Sequence, residues 1–499
     1  MLDIKSKLNQ YKFELLIGIF VFIVMFVFFS RIHPIVIFDG DDWSLISDSR
    51  PALPKWHAWN PCRILPETFY PLCGYIAAYF VMPIVGDYFN ALTFTISAVV
   101  SSFIALYIFL VILFAEKKFG LKTFSANLIG LLFLLFHFAL FLQHSGLNNM
   151  YLFQTIDTAC YFYYVIPNLL NASMILLLAQ ININDNYFQE VNFKNALLIF
   201  AIYMAIFSNI LNSSMLAIFI IVELICKLNK RGLNRAYLKG FIKSNRVYCS
   251  IIVIWLISLI FEANGGRSKD LADSSNFIVN FIAIAPEFFK SIANENRGLA
   301  FVIFILLSLP FIWKKKSSDE AAAKILNWTG KFALCMPLWS IYTILVASKA
   351  GESFVLRKDV QFGLFFYFFM IVIAIFSYWL QKSSRFALIF PILVFALFTW
   401  SFSGKKNFTV STINNVPEQV CLEISRDILN QYVTADKAGQ TELILKVPKG
   451  DDIDNWPHPF YVGDNISRTL YSHGIIAHHL KVTVVADPEI NKRYKINNR

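Results

Sequence analysis

Charge is what this sequence has least of. Asp, Glu, Lys and Arg make up 15% of its 499 residues, where a soluble domain carries roughly 25%. That shortage excludes an ordinary water-soluble globule. Paired cysteine motifs are missing too. The seven cysteines are scattered, with no Cys-x-x-Cys and no Cys/His cluster, which argues against a zinc or iron–sulfur centre. No Gly-rich loop is present to cradle a nucleotide phosphate. No internal repeat is visible, which disfavours inverted-repeat transporters. No small-residue cleavage site follows the first apolar run, and that run is too long for a signal-peptide core. It reads as a retained helix.

What fills the chain instead is hydrocarbon. Hydrophobic residues reach 57%, and Phe alone occurs 51 times. A bilayer-spanning helix needs about 20 apolar residues. Such runs lie near 13–31, 91–115, 124–142, 161–181, 195–210, 211–227, 247–262, 299–313, 328–347, 361–380 and 385–402. The expected fold is therefore an α-helical polytopic membrane protein with about eleven transmembrane helices. The net charge of +11 does not call for nucleic acid. Much of it sits in short loops, such as Lys117 and Lys118 after the second run, Lys227 to Arg246 after the sixth, and Lys314 to Lys316 after the eighth. An eleven-span thread with a cytoplasmic N-terminus puts these loops on one side, as the positive-inside rule requires. The run 69–86 would break that pattern if it spanned. It is short and holds Pro71 and Pro83, so it reads as a helix on the outer membrane surface.

Two domains follow. Residues 1–402 form the membrane part, with a long external loop at 31–90. Residues 403–499 turn polar and form a small extracytoplasmic α/β domain, with helical spacing at 417–432 and 465–480 and strand-like runs at 442–447 and 482–486. Further external segments are 143–160, 262–298 and 348–360.

The densest chemistry lies where the first helix leaves the bilayer. Asp39, Asp41 and Asp42 put three acids within four residues. Carboxylates cannot sit in hydrocarbon without a large cost, so they belong just beyond the membrane face. They can serve as a general base, a metal site or a cation site; helix capping is the plainer use. Trp43, Trp56 and His57 in the same loop, with His144 and Glu352 on two other external segments, are suited to sugar faces and hydroxyls, although Trp also marks membrane interfaces for purely physical reasons. External cations run against the positive-inside trend. Arg63, Arg297, Arg357 and Lys358 are candidates for holding a phosphate, with pairing to nearby acids such as Asp359 as the alternative. Cys62 and Cys73 share the outer loop and could form a disulfide. No set of residues spells a metal site. His473, His478 and His479 in the tail have spacing poorly suited to chelation.

The layout resembles the C-type membrane glycosyltransferases (GT-C). It shares a first helix, an acidic pair (Asp41-Asp42) opening a long external loop, a surface helix over Arg63 to Pro83, and a return helix ending in basic residues. The likeness covers about the first 180 residues, and the remainder only in general plan. Within that class the chain is similar to the phage-encoded, serotype-converting O-antigen glucosyltransferases of enteric bacteria. The resemblance implies an inverting hexosyltransferase of the bacterial inner membrane, acting on the periplasmic side. Its donor would be a polyprenyl-phosphate-linked sugar, with glucose the expected sugar. Its acceptor would be a lipid-linked glycan such as O-antigen. Membrane lipids are the other expected partners. No cofactor is implied, and a divalent metal requirement stays open. A transporter or flippase of a lipid-linked sugar is the competing expectation, and it calls for polar residues deep within several spans.

Overall fold

The computed structural model describes residues 11–37, 40–47, 61–139, 153, 155, 158–181, 192–228, 235–264, 277–293, 298–350, 355, 357–402, 416–449 and 462–496. The apolar runs fold as helices for a simple reason. Hydrocarbon offers no water to the backbone, and a helix satisfies its own N–H and C=O groups. Among the described residues, eight helices are long and apolar enough to cross a membrane. They are α1 (Lys12–Ile32), α3 (Leu65–Val85), α4 (Tyr88–Phe119), α6 (Thr158–Gln180), α8 (Ile210–Lys227), α10 (Arg246–Ala263), α13 (Glu320–Lys349) and α14 (Phe362–Lys382). Shorter helices lie between them: α2 (Gly40–Leu45), α5 (Thr123–Ala139), α7 (Phe193–Ile206), α9 (Arg235–Ser244), α11 (Phe277–Ala293), α12 (Leu299–Lys314) and α15 (Ser384–Phe402). The chain is a helical, membrane-embedded protein.

Each of the eleven expected runs lies on one of these helices. Seven reach spanning length; the runs on α5, α7, α12 and, counted over Ser384–Thr399, α15 are shorter apolar helices. The eighth long helix is α3, which was expected to be short. It starts earlier than the apolar run suggests and continues through Pro71 and Pro83. At its start, the Ile64 N–H bonds the Phe207 carbonyl at 3.3 Å, beyond the end of α7. At its far end Gly86 takes φ +78° and turns the chain directly into α4. A residue with a Cβ is strained at that angle. Asp87 then caps α4 by accepting from the Asn90 N–H at 2.8 Å.

Burial sorts centre from rim. In α6 and α14, 83% of the apolar window is buried, against 28% in α1 and 22% in α10. The outward residues of α1 (Leu16, Phe20, Ile23, Val27) and α15 (Leu388, Ile392, Phe395) are large and apolar, as a lipid-facing surface demands.

Contacts also define two ends. At one end, Lys331 pairs with Glu223 at 2.6 Å, Lys382 with Asp319 at 2.9 Å, and Gln381 donates to the Phe119 carbonyl. The acid-bearing loop, the start of α6, the end of α10 and the loop before α14 meet at the other.

The C-terminal residues form α16 (Glu418–Lys437), β1 (Glu442–Val447), α17 (Gly463–Ser472), β2 (Lys481–Ala486) and α18 (Pro488–Tyr494). The two strands pair in parallel, from Glu442 opposite Lys481 to Val447 opposite Ala486. Parallel neighbours need a crossover connection, and the segment carrying α17 supplies it. These elements rest on the acid-bearing end. Arg426 grips Asp87 with Nε and Nη2 at 3.1 and 3.2 Å, and Ser425 donates to the Ile37 carbonyl.

Candidate functional site

Helix α2 carries two of the three acids, and its six residues are too few to hold a helix alone. Packing and side-chain bonds hold it. Asp42 is fully buried and accepts the Ala159 N–H at 2.7 Å. Trp43 turns its ring inward, edge-on to Phe89 at 6.0 Å. That corrects the expectation that Trp43 faces a sugar: at 1% exposure its ring is part of the core. The physical reason is the short helix itself, which needs a large apolar anchor. Asp41 is exposed. The two carboxylates thus divide their work by position, with Asp42 bound to backbone and Asp41 turned to the surface. Asp39, Trp56, His57, His144, Arg297 and Glu352 lie outside the described residues.

The start of α6 threads through the site. Thr158 Oγ1 bonds the Tyr70 hydroxyl at 2.9 Å, and Tyr70 stacks on Phe162 at 4.5 Å. The Thr155 carbonyl bonds His33 Nε2 and accepts from the Tyr161 hydroxyl. Ala159 holds Asp42, and the next residue, Cys160, has its sulfur 3.5 Å from Arg357 Nη2. Two consecutive residues therefore join the acidic helix to the loop before α14.

In that loop the Arg357 guanidinium lies 4.3 Å over the Tyr164 ring. Its fork is taken by Asp359, with Nε–Oδ1 at 3.1 Å and Nη2–Oδ2 at 2.6 Å. Burial works against the Arg357 charge, but Asp359 and Tyr164 outweigh it and raise the pKa. Lys358 donates to the Ser291 carbonyl at 3.1 Å and to Gln361 Oε1 at 3.2 Å. Arg63 is similarly engaged. It sits at φ +59°, a sparsely populated backbone state for a residue with a Cβ. Its fork meets Glu262 at 3.1 and 2.7 Å. Burial again opposes the charge, and Glu262 raises the pKa in spite of it. The three described cations thus collect at one end of the bundle, each against protein acceptors. Cys62 and Cys73 are both buried, and no disulfide joins the two. Cys62 points at the Ser258 carbonyl, and Cys73 lies two turns into α3, which at about 1.5 Å per residue holds the thiols apart.

Below Arg357 the bundle is polar. Asn168 donates to the Asp359 carbonyl at 2.7 Å and accepts from Asn212. Asn171 donates to the Ala205 carbonyl at 3.1 Å and to Ser208 Oγ at 3.3 Å. The Asn212 and Asn171 amide oxygens and the Ser213 hydroxyl are buried without a protein partner. Among the described residues, no group of three or more His, Cys, Asp or Glu side chains is placed to hold a metal.

Sequence reasoning missed Ala159, Cys160, Tyr164 and Thr469. The first two act through a backbone N–H and a thiol, which carry no motif. Thr469 and Asn465 left one trace, a four-residue polar repeat with His473.

No family model, no curated protein and no solved structure matches this chain.

Proposed function

We propose that this chain is a membrane glycosyltransferase. It transfers a sugar, glucose in the first instance, from a polyprenyl-phosphate donor to a lipid-linked glycan such as O-antigen, on the extracytoplasmic face of a bacterial inner membrane. One observation carries the proposal. Exposed Asp41, on a helix anchored through Asp42, is joined to the Arg357 loop across Ala159 and Cys160. A carboxylate at the membrane face can take the proton from an acceptor hydroxyl as that oxygen attacks the sugar C1. The leaving group is then a lipid phosphate, whose growing charge is stabilised by cations held ready beside it. We assign that part first to Arg357, with Lys358, Arg63 and Arg297 as further candidates. About a quarter of the Arg357 side chain remains exposed, so a phosphate can approach it without displacing Asp359.

The test is transfer by purified protein given polyprenyl-phosphate glucose and a lipid-linked acceptor. Asp41→Asn should lower turnover by roughly a hundredfold to ten-thousandfold. Its melting temperature, measured alongside, separates loss of the base from loss of the fold. Full activity in both Asp41→Asn and Asp42→Asn would sink the catalytic assignment.

The second reading, transport of a lipid-linked sugar, gains from the buried Asn168, Asn171, Asn212 and Ser213. Polar groups inside a membrane bundle are costly and frequently mark a path. Vesicles containing the protein separate the two readings. Movement of intact donor between leaflets without sugar transfer would favour transport.

A further inference from the structure

Asn465, Thr469 and His473 recur every four residues along α17 and its C-terminal cap, which sets them on one face. Each reaches across to the acid-bearing end. Asn465 Nδ2 donates to Ser44 Oγ at 2.9 Å. Thr469 Oγ1 donates to the Trp43 carbonyl at 3.0 Å, so the Ser47 hydroxyl, 2.7 Å away, donates to it in turn. His473 Nδ1 bonds the Tyr88 hydroxyl at 2.7 Å. The last carbonyls of a helix lack intrahelical partners, and Trp43 has one of these in α2. Thr469 thus completes a helix to which it is not adjacent in sequence. α17 is itself held firmly. The Tyr432 hydroxyl donates to the Gly463 carbonyl, and the Leu480 and Val482 N–H groups bond Ser467 and Asp464.

We propose that α17 sets the orientation of α2, with Thr469 as the positioning residue for the Asp41 carboxylate. The acidic helix is then clamped from two sides, by Ala159 through Asp42 and by the C-terminal residues through Ser44, Trp43 and Ser47. This deepens the glycosyltransferase reading and rests on it for the role of Asp41. The clamp explains why a membrane transferase carries a polar C-terminal part: it fixes the reacting carboxylate from outside the bilayer.

The experiment compares full-length protein with Thr469→Val, which removes the hydroxyl at nearly constant volume, and Thr469→Ser, which keeps it. Hydrogen exchange is followed over residues 40–47. T469V should speed exchange there by on the order of tenfold, the factor that loss of a buried hydrogen bond gives. Peptides from α16 and β2 should stay at parent rates, and T469S should match the parent throughout. In the transfer assay T469V should lower kcat, leave KM for the donor unchanged and move the acidic limb of the pH–rate profile, with T469S restoring all three. Parent-like exchange over 40–47 in T469V overturns the clamp. Faster exchange with unchanged transfer supports the clamp and overturns the catalytic reading of α2, so the two failures are distinguishable. If T469V does not fold, Asn465→Leu makes the same test one turn earlier on α17.

Discussion

His473 shows how one residue ties solution conditions to this architecture. It is buried between Tyr75 and Tyr88, and its Nε2 has no protein partner. Asp87, which precedes Tyr88 in the chain, is paired with Arg426. Burial pushes its pKa down from the ordinary 6.5 or so to about 4. The folded chain therefore holds His473 neutral while the unfolded chain protonates it. Stability is fully present above about pH 6.5 and is lost as pH falls toward 4, because the unfolded state then binds the extra proton. At ~1.4 kcal/mol per pKa unit the effect is on the order of 3 kcal/mol. Melting curves of solubilised protein from pH 7 to 4.5 should slope downward. His473→Gln should be less stable at pH 7 but should flatten the slope; an unchanged slope would assign it to other groups. A histidine four residues beyond Thr469 was visible in the sequence. That it would be buried against a tyrosine from a helix 385 residues away was not, because hydrogen bonds at that separation leave no local pattern.

Helix α3 packs through its small residues. A Cβ at Gly74 would come within 2.7 Å of the Ile46 carbonyl oxygen and 2.8 Å of Ile46 Cγ1. Backbone cannot yield as a side chain can, so the contact is close only because Gly is there. Gly74→Ala should cost about 1–3 kcal/mol through overpacking. Because Ile46 follows α2 directly, the strain should also speed hydrogen exchange over residues 40–47. A melting temperature equal to the parent's would mean that the two helices can move apart freely. The opposite face of α3 carries Leu72, Ile76, Phe80 and Ile84 exposed, a four-residue stripe suited to lipid. The charge pattern of the loops, the shortness of the run 69–86 and its two prolines had suggested a surface helix. The longer helix forms because Pro66 lies in its first turn, where the missing N–H is tolerated, and a π-turn precedes each of Pro71 and Pro83.

For the whole molecule the decisive matter is which end faces which compartment. The basic loops and the acid-bearing loops segregate to opposite ends of the bundle, and the C-terminal residues join the acids. A reporter fused after Arg499 should therefore be active outside the cytoplasm, and one inserted at Lys239 should report from inside. A C-terminal reporter active only inside would change the parity of the spans and would move the acids to the cytoplasm. Helix α3 has the length and composition for a crossing, so the same pair of reporters also decides whether it makes one.

Sequence by itself determined the helical membrane character, the place of the acidic pair beyond the first helix, and the helix near 417–432 and two strands of the polar tail. Those follow from transfer free energy and backbone bonding, which act over tens of residues and are written in composition and spacing. Tertiary structure alone decided that Asp42 is buried and Asp41 exposed, that Trp43 packs inward, that Arg357 already holds Asp359, and that α17 caps α2. Each of these depends on a hydrogen bond or a packed ring, and the bonds of Asp42 and of Thr469 join segments more than a hundred residues apart. Such contacts become favourable only after the bundle has brought its loops together at one end.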